Sequence, residues 1–464
     1  MIIKLLLLLI FFLAIFRYLI SQRQITDLKF YMFSSVVQSL MVYPVVVNMV
    51  RLPENIKKLP FTSPYENFGG LLYPTIIVLF IYAISNKRKI KWGWGGFPLI
   101  FLTIGLVYSF LTRLNCSYTA SLICLLLFCQ ILIIIYVSKT CLTEELFLKA
   151  VYDGFSIIIV VEFIISFSYV FGDINTLQGL FYSSADDTEA VLRVGASSKF
   201  AMGTTYQHNR LGGICAYLFV FFMSCWLFGY RKTKSFFLTV IALFVLVLSQ
   251  SRSALIGGIV STVYLYFIYL YKMGKLTWSR LVAYFLLSVF FVFIFFNIPI
   301  VNKMFFGSNV DRMAEARQFH YLMGWNVLEK NEFMGCGMNA NTHYMYYNLP
   351  NMGYSNWLYM HSIHNIHLVI AVELGAIGFL LWVYYILSRN IRFIKTPIRK
   401  MNNPIYWFTF IGMLTVMIIH GISDVVELHF QYLMMLFLFG VSYSISSKQI
   451  PYGSVKHKLI KINT

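Results

Sequence analysis

Long apolar segments, separated by short polar ones, recur along the whole chain. A helix needs roughly 20 mostly apolar residues to cross a hydrocarbon core about 30 Å thick. The segments with this pattern lie near residues 2–20, 30–50, 70–86, 96–113, 118–138, 150–172, 209–229, 235–250, 253–271, 281–301, 365–387, 405–423 and 429–447. They predict an all-α polytopic membrane protein with about 12 or 13 transmembrane helices. No internal repeat or linker divides the chain, so we predict one integral membrane domain over residues 1–464.

Composition agrees with the bilayer as the solvent for most of the chain. Of 464 residues, 59% are hydrophobic and only 12% are charged, and the mean hydropathy is +0.72. The formal net charge is nevertheless +19. The Lys and Arg residues cluster in short connectors at 87–91, 231–234, 272–280, 389–400 and 448–461. By the positive-inside rule these connectors face the cytoplasm, so the charge reflects topology and predicts no nucleic-acid partner.

Two polar segments are predicted on the opposite side of the membrane. The basic connector at 272–280 is inside, the span at 281–301 leads out, the span at 365–387 returns, and the connector at 389–400 is inside again. Residues 302–363 are therefore a large external (periplasmic) loop, and residues 173–208 a smaller one. The amino terminus is outside if there are thirteen spans and inside if there are twelve.

Three arginines are candidates for binding an anion. Arg252, in the polar turn Ser-Gln-Ser-Arg-Ser, is placed at the outer face by its flanking spans, against the positive-inside tendency. Arg210 lies where the chain enters another span from outside, and Arg317 falls in the large loop. The planar guanidinium matches phosphate oxygens bidentately, so the three could hold a diphosphate. Alternatively, each is a surface charge, or an arginine that snorkels to lipid headgroups.

His361 and His364 lie where the large loop re-enters the bilayer, and a neutral imidazole can accept a proton there at physiological pH. A hydrogen-bonded structural histidine is the alternative. On a continuous helix Glu373 is half a turn out of phase with His364, so we do not expect it to orient the imidazole. Glu162 and Asp424 are further candidates for which the sequence indicates no partner.

Aromatic residues are frequent in the large loop, including Trp325, Tyr354 and Trp357. They are candidate sugar-binding residues, since aromatic planes pack against pyranose rings, and interfacial anchoring is the alternative. The seven cysteines form no CxxC pair and have no His-rich companion. We therefore predict free thiols, with a bond between Cys116 and Cys336 as the alternative, no metal site and no cofactor.

Several of these residues occur in an order that resembles the O-antigen ligase and O-antigen polymerase family of bacterial envelope glycosyltransferases. The resemblance covers roughly residues 200–440. It rests on the Ser-x-Ser-Arg-Ser turn ending at Ser253, Arg317 followed by Gly-x-Gly at 335–337, His364-Asn365 leading to Gly375-x-x-Gly378, and Gly-x-Ser-Asp at 421–424. Glu332 and Phe333 stand where a proline often precedes the Gly-x-Gly, and Tyr321 stands where a tryptophan is frequent.

The resemblance implies a GT-C-like, inverting, metal-independent glycosyltransferase. Its donor would be a glycan on undecaprenyl diphosphate at the periplasmic side of the bacterial inner membrane. Arg252 and Arg317 would hold the diphosphate, with Arg210 assisting. His364 would be the general base on a glycan acceptor hydroxyl, with His361 as its substitute.

Three functions remain open at this point. We favour a polymerase that joins lipid-linked repeat units into a surface polysaccharide (O-antigen or capsule), for which a chain-length regulator is a further candidate partner. The second is an O-antigen ligase that transfers the finished glycan to lipid A core. The third is a non-catalytic flippase or exporter, which we disfavour because the predicted spans carry few polar residues.

Overall fold

The computed structural model describes residues 144–172, 200–277 except 206, 310–349 except 332, 361–401, 403–425, and the isolated residues 279, 282, 297, 359, 428, 435, 436, 439 and 440. Eight α-helices are defined in this part of the chain: α1 (Glu144–Gly172), α2 (His208–Leu227), α3 (Lys232–Leu248), α4 (Arg252–Lys272), α5 (Val310–Lys330), α6 (Asn341–Asn348), α7 (Ile366–Lys395) and α8 (Pro404–His420). A short 3-10 helix, Ile398–Lys400, precedes α8. The described residues contain no β-strand.

The predicted spans that fall on described residues are helical. Four helical segments are long and apolar enough to cross a membrane, namely Phe147–Phe171, His208–Leu227, Arg252–Lys272 and Ile366–Lys395, and Pro404–His420 is a shorter apolar helix. The predicted span at 235–250 coincides with α3. The chain is thus a helical membrane protein. The five predicted spans before residue 140, most of those at 281–301 and 429–447, and most of the loop at 173–208 lie outside the described residues.

Helix α2 is central among the described helices and is buried along most of its length. It packs against α3, α4 and α8, and α1 packs against α3. The peripheral helices have apolar stripes on their exposed faces, formed on α1 by Ile157, Val160, Ile164, Phe167 and Phe171, and on α7 by Ile377, Leu380, Tyr384, Leu387, Ile391 and Ile394. Spacings of three and four residues put each stripe on one side of its helix, as expected for a surface that faces lipid.

One end of the bundle, which we name the basic end, contains three of the predicted cytoplasmic clusters. The Lys272 ammonium donates to the carbonyls of Phe393 (2.7 Å) and Thr396 (2.5 Å), which brings the end of α4 to the end of α7. The ring of Phe228, at the turn between α2 and α3, contacts that of Phe408 near the start of α8. This grouping agrees with the alternation of spans that the sequence predicted.

The opposite end, which we name the histidine end, joins the first residues of α2, α4 and α7 to the last residues of α3 and α8. The Ala201 amide donates to the Leu248 carbonyl (3.0 Å), and the Ile366 amide donates to the Gly421 carbonyl (2.7 Å). These backbone hydrogen bonds connect segments that are far apart in sequence. They bring polar and titratable side chains of those segments to the same end of the bundle.

Helix α7 is not continuous. Gly375 interrupts it with φ +66° and ψ −171°, a conformation that is essentially restricted to glycine. The Trp382 indole nitrogen donates to His367 Nδ1 (3.2 Å), although fifteen residues of straight helix would span about 22 Å. The helix axis therefore bends sharply at Gly375. The expectation of one continuous helix through this segment was wrong.

The interruption of α7 is occupied by the Gly-x-Gly segment of the external loop. The amides of Cys336 and Gly337 donate to the carbonyls of Val372 (2.8 Å) and Glu373 (3.0 Å). A Cβ atom on Gly375 would lie 2.2 Å from the Phe333 carbonyl oxygen. The helix break and the loop are thus packed backbone to backbone, which requires glycine at this position.

Candidate functional site

The candidate site lies at the histidine end and is centred on His364. This residue is in the short non-helical segment 361–365, before α7 begins at Ile366. Asn365 caps the helix, since its side-chain oxygen accepts from the amides of His367 (2.9 Å) and Leu368 (3.0 Å). Because His364 precedes the helix, the phase argument that compared it with Glu373 along one helix does not apply.

Asp424, just after α8, is the carboxylate nearest to His364 among the described residues. His364 Nδ1 lies 3.9 Å from Asp424 Oδ1. The imidazole is about one third exposed (34%), whereas the carboxylate is almost completely buried (3%). Asp424 Oδ2 accepts a hydrogen bond from Asn209 Nδ2 (2.6 Å), and Oδ1 accepts from the Val425 amide (2.8 Å). The carboxylate is therefore held in place and faces Nδ1, which leaves Nε2 as the nitrogen available to a substrate.

The environment of Asp424 favours its ionised form. Burial alone would raise the pKa of the Asp424 carboxyl, but interaction with His364, the charge of His420 and the Val425 amide together lower the pKa well below its ordinary value. A buried aspartate of this kind is a permanent negative charge at neutral pH. It can stabilise an imidazolium that forms when His364 accepts a proton.

Helix α5 covers the site with one face. His320 and Tyr321 follow Arg317 on this helix by three and four residues, about one turn, so each projects on the same side as Arg317. The His320 ring packs on the His364 ring with centroids 5.1 Å apart, and the Tyr321 hydroxyl donates to the Ile422 carbonyl (2.7 Å). One face of α5 thus contacts both the histidine segment and the segment that carries Asp424.

Arg252 and Arg317 come from distant parts of the chain, and their charges repel each other in the structure. Both are partly exposed, and neither has an ion pair with a carboxylate among the described residues. Arg252 is the first residue of α4, after a turn in which Gln250 has φ +53°. Guanidinium groups are hydrogen-bond donors suited to phosphate and carboxylate groups, which is the chemistry that the sequence predicted for these two residues. Arg210, in the first turn of α2, is almost completely buried, so it differs from the other two.

The other candidates are distributed as follows. His361 is partly exposed, in the same segment as His364. Trp325 lies on α5 and is 57% exposed. Tyr354 and Trp357 lie outside the described residues. His367 has a structural role, because its Nε2 bonds the Ile418 carbonyl (2.9 Å) while Nδ1 accepts from Trp382.

Partners for three acidic residues were not predicted from the sequence. Asp424 faces His364, and Glu162 accepts hydrogen bonds from the amide and the hydroxyl of Thr204. Glu373 accepts from Asn341 Nδ2 (2.6 Å). Sequence reasoning also missed Asn209 and His320. Asn209 is next to Arg210, and His320 lies one turn after Arg317. Proximity to these candidate arginines could have indicated both residues. Free thiols were predicted, and Cys215, Cys225 and Cys336 are buried and form no disulfide bond within the described part of the chain.

Comparison with known proteins supports the family suggested by the sequence motifs. Residues 237–383 match the family model described as O-antigen ligase. The match includes Arg252, Arg317 and His364, and it ends before Asp424. No curated protein matches the chain.

Proposed function

The match over residues 237–383 assigns this chain to the O-antigen ligase and polymerase family, and from that premise we propose that it polymerises lipid-linked glycan repeat units. The donor is a glycan on undecaprenyl diphosphate, and the acceptor is the sugar hydroxyl of another glycan. The reaction takes place at the periplasmic side of the bacterial inner membrane. The observation that carries the proposal is the His364 and Asp424 pair beside Arg252 and Arg317 at one end of the bundle.

Each component of this site has a part in inverting transfer. His364 Nε2 accepts the proton of the acceptor hydroxyl while the hydroxyl oxygen attacks the anomeric carbon. The bond between that carbon and the phosphate oxygen breaks, and the diphosphate leaves with the bonding electrons. Arg252 and Arg317 stabilise the negative charge that develops on the leaving group. Asp424 orients the imidazole through Nδ1 and stabilises the resulting imidazolium.

His364 is a better candidate for the base than His361, because a fixed carboxylate faces it. Arg210 is better suited to packing beneath the site residues than to contacting phosphate, because its side chain is buried in the protein. Trp325 is exposed on the helix that carries Arg317, which suits contact with a sugar ring. Tyr354, Trp357 and a chain-length regulator protein remain predictions from the sequence.

A ligase is the second candidate, because the matching family model is described as O-antigen ligase and the match suits both enzymes. The same base and arginines would then transfer a finished glycan to lipid A core. A flippase is disfavoured, since the polar side chains described above gather at one end of the bundle instead of lining a passage through it.

The test is His364→Ala in a host that depends on this protein for its long-chain surface glycan. We expect roughly a 100-fold or greater loss of long chains, the effect typical of removing a general base. His343→Ala, which removes a histidine of the same external segment, is the matched control and should retain long chains. Normal glycan with His364→Ala, at normal protein levels, would refute the assignment.

The glycan pattern of a deletion strain separates the two enzymes. Loss of a polymerase leaves surface lipid that carries a single repeat unit. Loss of a ligase leaves bare core, while long chains accumulate on the carrier lipid. Gel electrophoresis of surface lipid and of carrier lipid from the same cells distinguishes these outcomes.

A further inference from the structure

Three buried polar side chains connect the external segment to the segment that carries His364. Glu373, in the first half of α7, accepts from Asn341 Nδ2 (2.6 Å) at the start of α6. The other end of the same amide, Asn341 Oδ1, accepts from the Ser362 hydroxyl (3.3 Å). Glu373 and Asn341 are fully buried and Ser362 is 4% exposed. We propose that Glu373 and Asn341 are positioning residues that fix His364 through Ser362, a role that rests on the proposed function of His364.

The need for such positioning follows from the backbone around His364. Residues 361–365 belong to no helix, and the helical hydrogen bonds of α7 begin at Asn365, whose carbonyl accepts from the Val369 amide (2.9 Å). The Asn365 amide donates to the Ile363 carbonyl (2.9 Å), on the other side of His364. The Ser362 hydroxyl bonds Asn341 on one side of His364, and the Asn365 side chain caps α7 on the other. His364 is thus held between two side-chain hydrogen bonds, and the first of them depends on Asn341.

The orientation of Asn341 depends in turn on Glu373. The carboxylate can only accept a hydrogen bond, so it receives the amide NH₂ of Asn341 and turns the amide oxygen toward Ser362. Glu373 itself is fixed, because its backbone carbonyl accepts from the Gly337 amide beside the break in α7. Each hydrogen bond in this series therefore has a defined donor and a defined acceptor.

A purely structural role explains this arrangement less well. Burying a carboxylate is costly, and an apolar pair of similar volume often gives equal or greater stability at such a position. The distance from His364 Nδ1 to Asp424 Oδ1 is 3.9 Å, and Asp424 is held independently by Asn209. Small shifts of residues 361–365 would change that distance directly, and productive catalysis tolerates only small displacements.

The experiment uses the full-length purified protein and lipid-linked glycan extracted from a host strain that lacks it. Ser362→Ala removes the last link, and we expect kcat to fall about threefold to tenfold, as for one hydrogen bond, with KM and thermal stability near wild type. Thr342→Val is the matched control. Its hydroxyl bonds the same Asn341 oxygen at the same distance (3.3 Å), but Thr342 lies outside the segment of His364. It should change kcat less than about twofold.

Exchanging the amide of Asn341 and the carboxylate of Glu373 tests the direction of the hydrogen bond between them. Asn341→Asp places two carboxylates against each other, and we expect kcat to fall at least about tenfold. Adding Glu373→Gln restores a donor facing an acceptor, and should recover most of the lost kcat. The proposal is overturned if the double variant, present at the wild-type level, is no better than Asn341→Asp. It is equally overturned if Ser362→Ala matches Thr342→Val.

His364→Ala separates this proposal from the function on which it rests. If that variant keeps its activity, His364 is not the base and the proposed function fails. If it is inactive while Ser362→Ala has wild-type kcat, only the positioning role is wrong.

Discussion

The positive charges at the two ends of the bundle have different surroundings. At the basic end, Arg231 contacts Asp153 at 2.5 Å and lies over the Tyr152 ring, and Lys272 donates to backbone carbonyls at the end of α7. At the histidine end, Arg252 and Arg317 repel each other, and among the described residues neither forms an ion pair. The nearby carboxylate, Asp424, faces His364 instead.

We infer from this difference that the charges at the basic end serve the fold, and that the proposed donor is the partner of Arg252 and Arg317. A cation that the protein needs for its own packing is matched within the chain, as Lys272 is by the carbonyls of α7. A pair of like charges held together without a carboxylate is unfavourable in the free protein and favourable when an anion binds. The diphosphate of the proposed donor would supply that anion.

The largest expected effect is on activity, from removing one arginine at each end. Arg252→Ala should lower the transfer rate roughly 100-fold to 1000-fold, the usual effect of removing a group that stabilises transition-state charge. Arg231→Ala removes the same charge at the basic end and should retain the rate per protein molecule. Initial rates normalised to protein in membranes provide the measurement. Similar losses in both variants would contradict the distinction between the two ends.

The second comparison concerns a glycine at the break in α7 and a glycine at the basic end. Gly375 and Gly229 both have positive φ, +66° and +74°, but a Cβ atom would collide with the Phe333 carbonyl at Gly375 and meets nothing within 4 Å at Gly229. We expect Gly375→Ala to destabilise the protein by about 2–3 kcal/mol and to lower activity, since it separates the Gly-x-Gly segment from α7. Gly229→Ala should cost about 1 kcal/mol.

Thermal unfolding in detergent and transfer rates on the same preparations measure both effects. Equal losses of stability would show that backbone strain alone accounts for Gly375. A larger loss at Gly375 without loss of activity would show that the packing of the external loop on α7 is separate from catalysis.

The helices were predictable from the sequence because apolar periodicity is a local property. The predicted span at 253–271 and the observed helix Arg252–Lys272 differ by one residue at each end. The placement of Arg252 followed from the same pattern, since alternating spans put its turn at the end opposite the basic clusters. The apolar pattern and the alternation of spans were thus sufficient to predict the position of Arg252.

The break in α7 was not predictable in the same way. Gly375 and Gly378 in an apolar run most simply indicate close helix packing, and that pattern does not predict a break. The positive φ at Gly375 depends on the loop at Gly335, which approaches from elsewhere in the chain. The pairing of His364 with Asp424 has the same origin, because it is produced by the contact of Ile366 with Gly421. Tertiary contacts of this kind have no local signature.

The smallest expected effect is on thermal stability, and it compares Asp424 at the histidine end with Asp153 at the basic end. Because the pKa of Asp424 is lowered in the folded protein, its ionisation stabilises the fold above the pKa of an unfolded aspartate, about 4. That contribution is lost as pH falls through the folded-state pKa. The difference in Tm between wild type and Asp424→Asn should therefore narrow as pH falls below about 4.

Asp153→Asn at the basic end is the control for this titration. Its carboxylate is 30% exposed and its ion pair with Arg231 is near the surface, so the change in Tm should be small at every pH. A Tm difference for Asp424→Asn that does not depend on pH would mean that the carboxylate contributes by shape and hydrogen bonding to Asn209 alone. In that case the negative charge facing His364 would not be part of what holds the histidine end together, and the contrast between the two ends would rest on the arginines only.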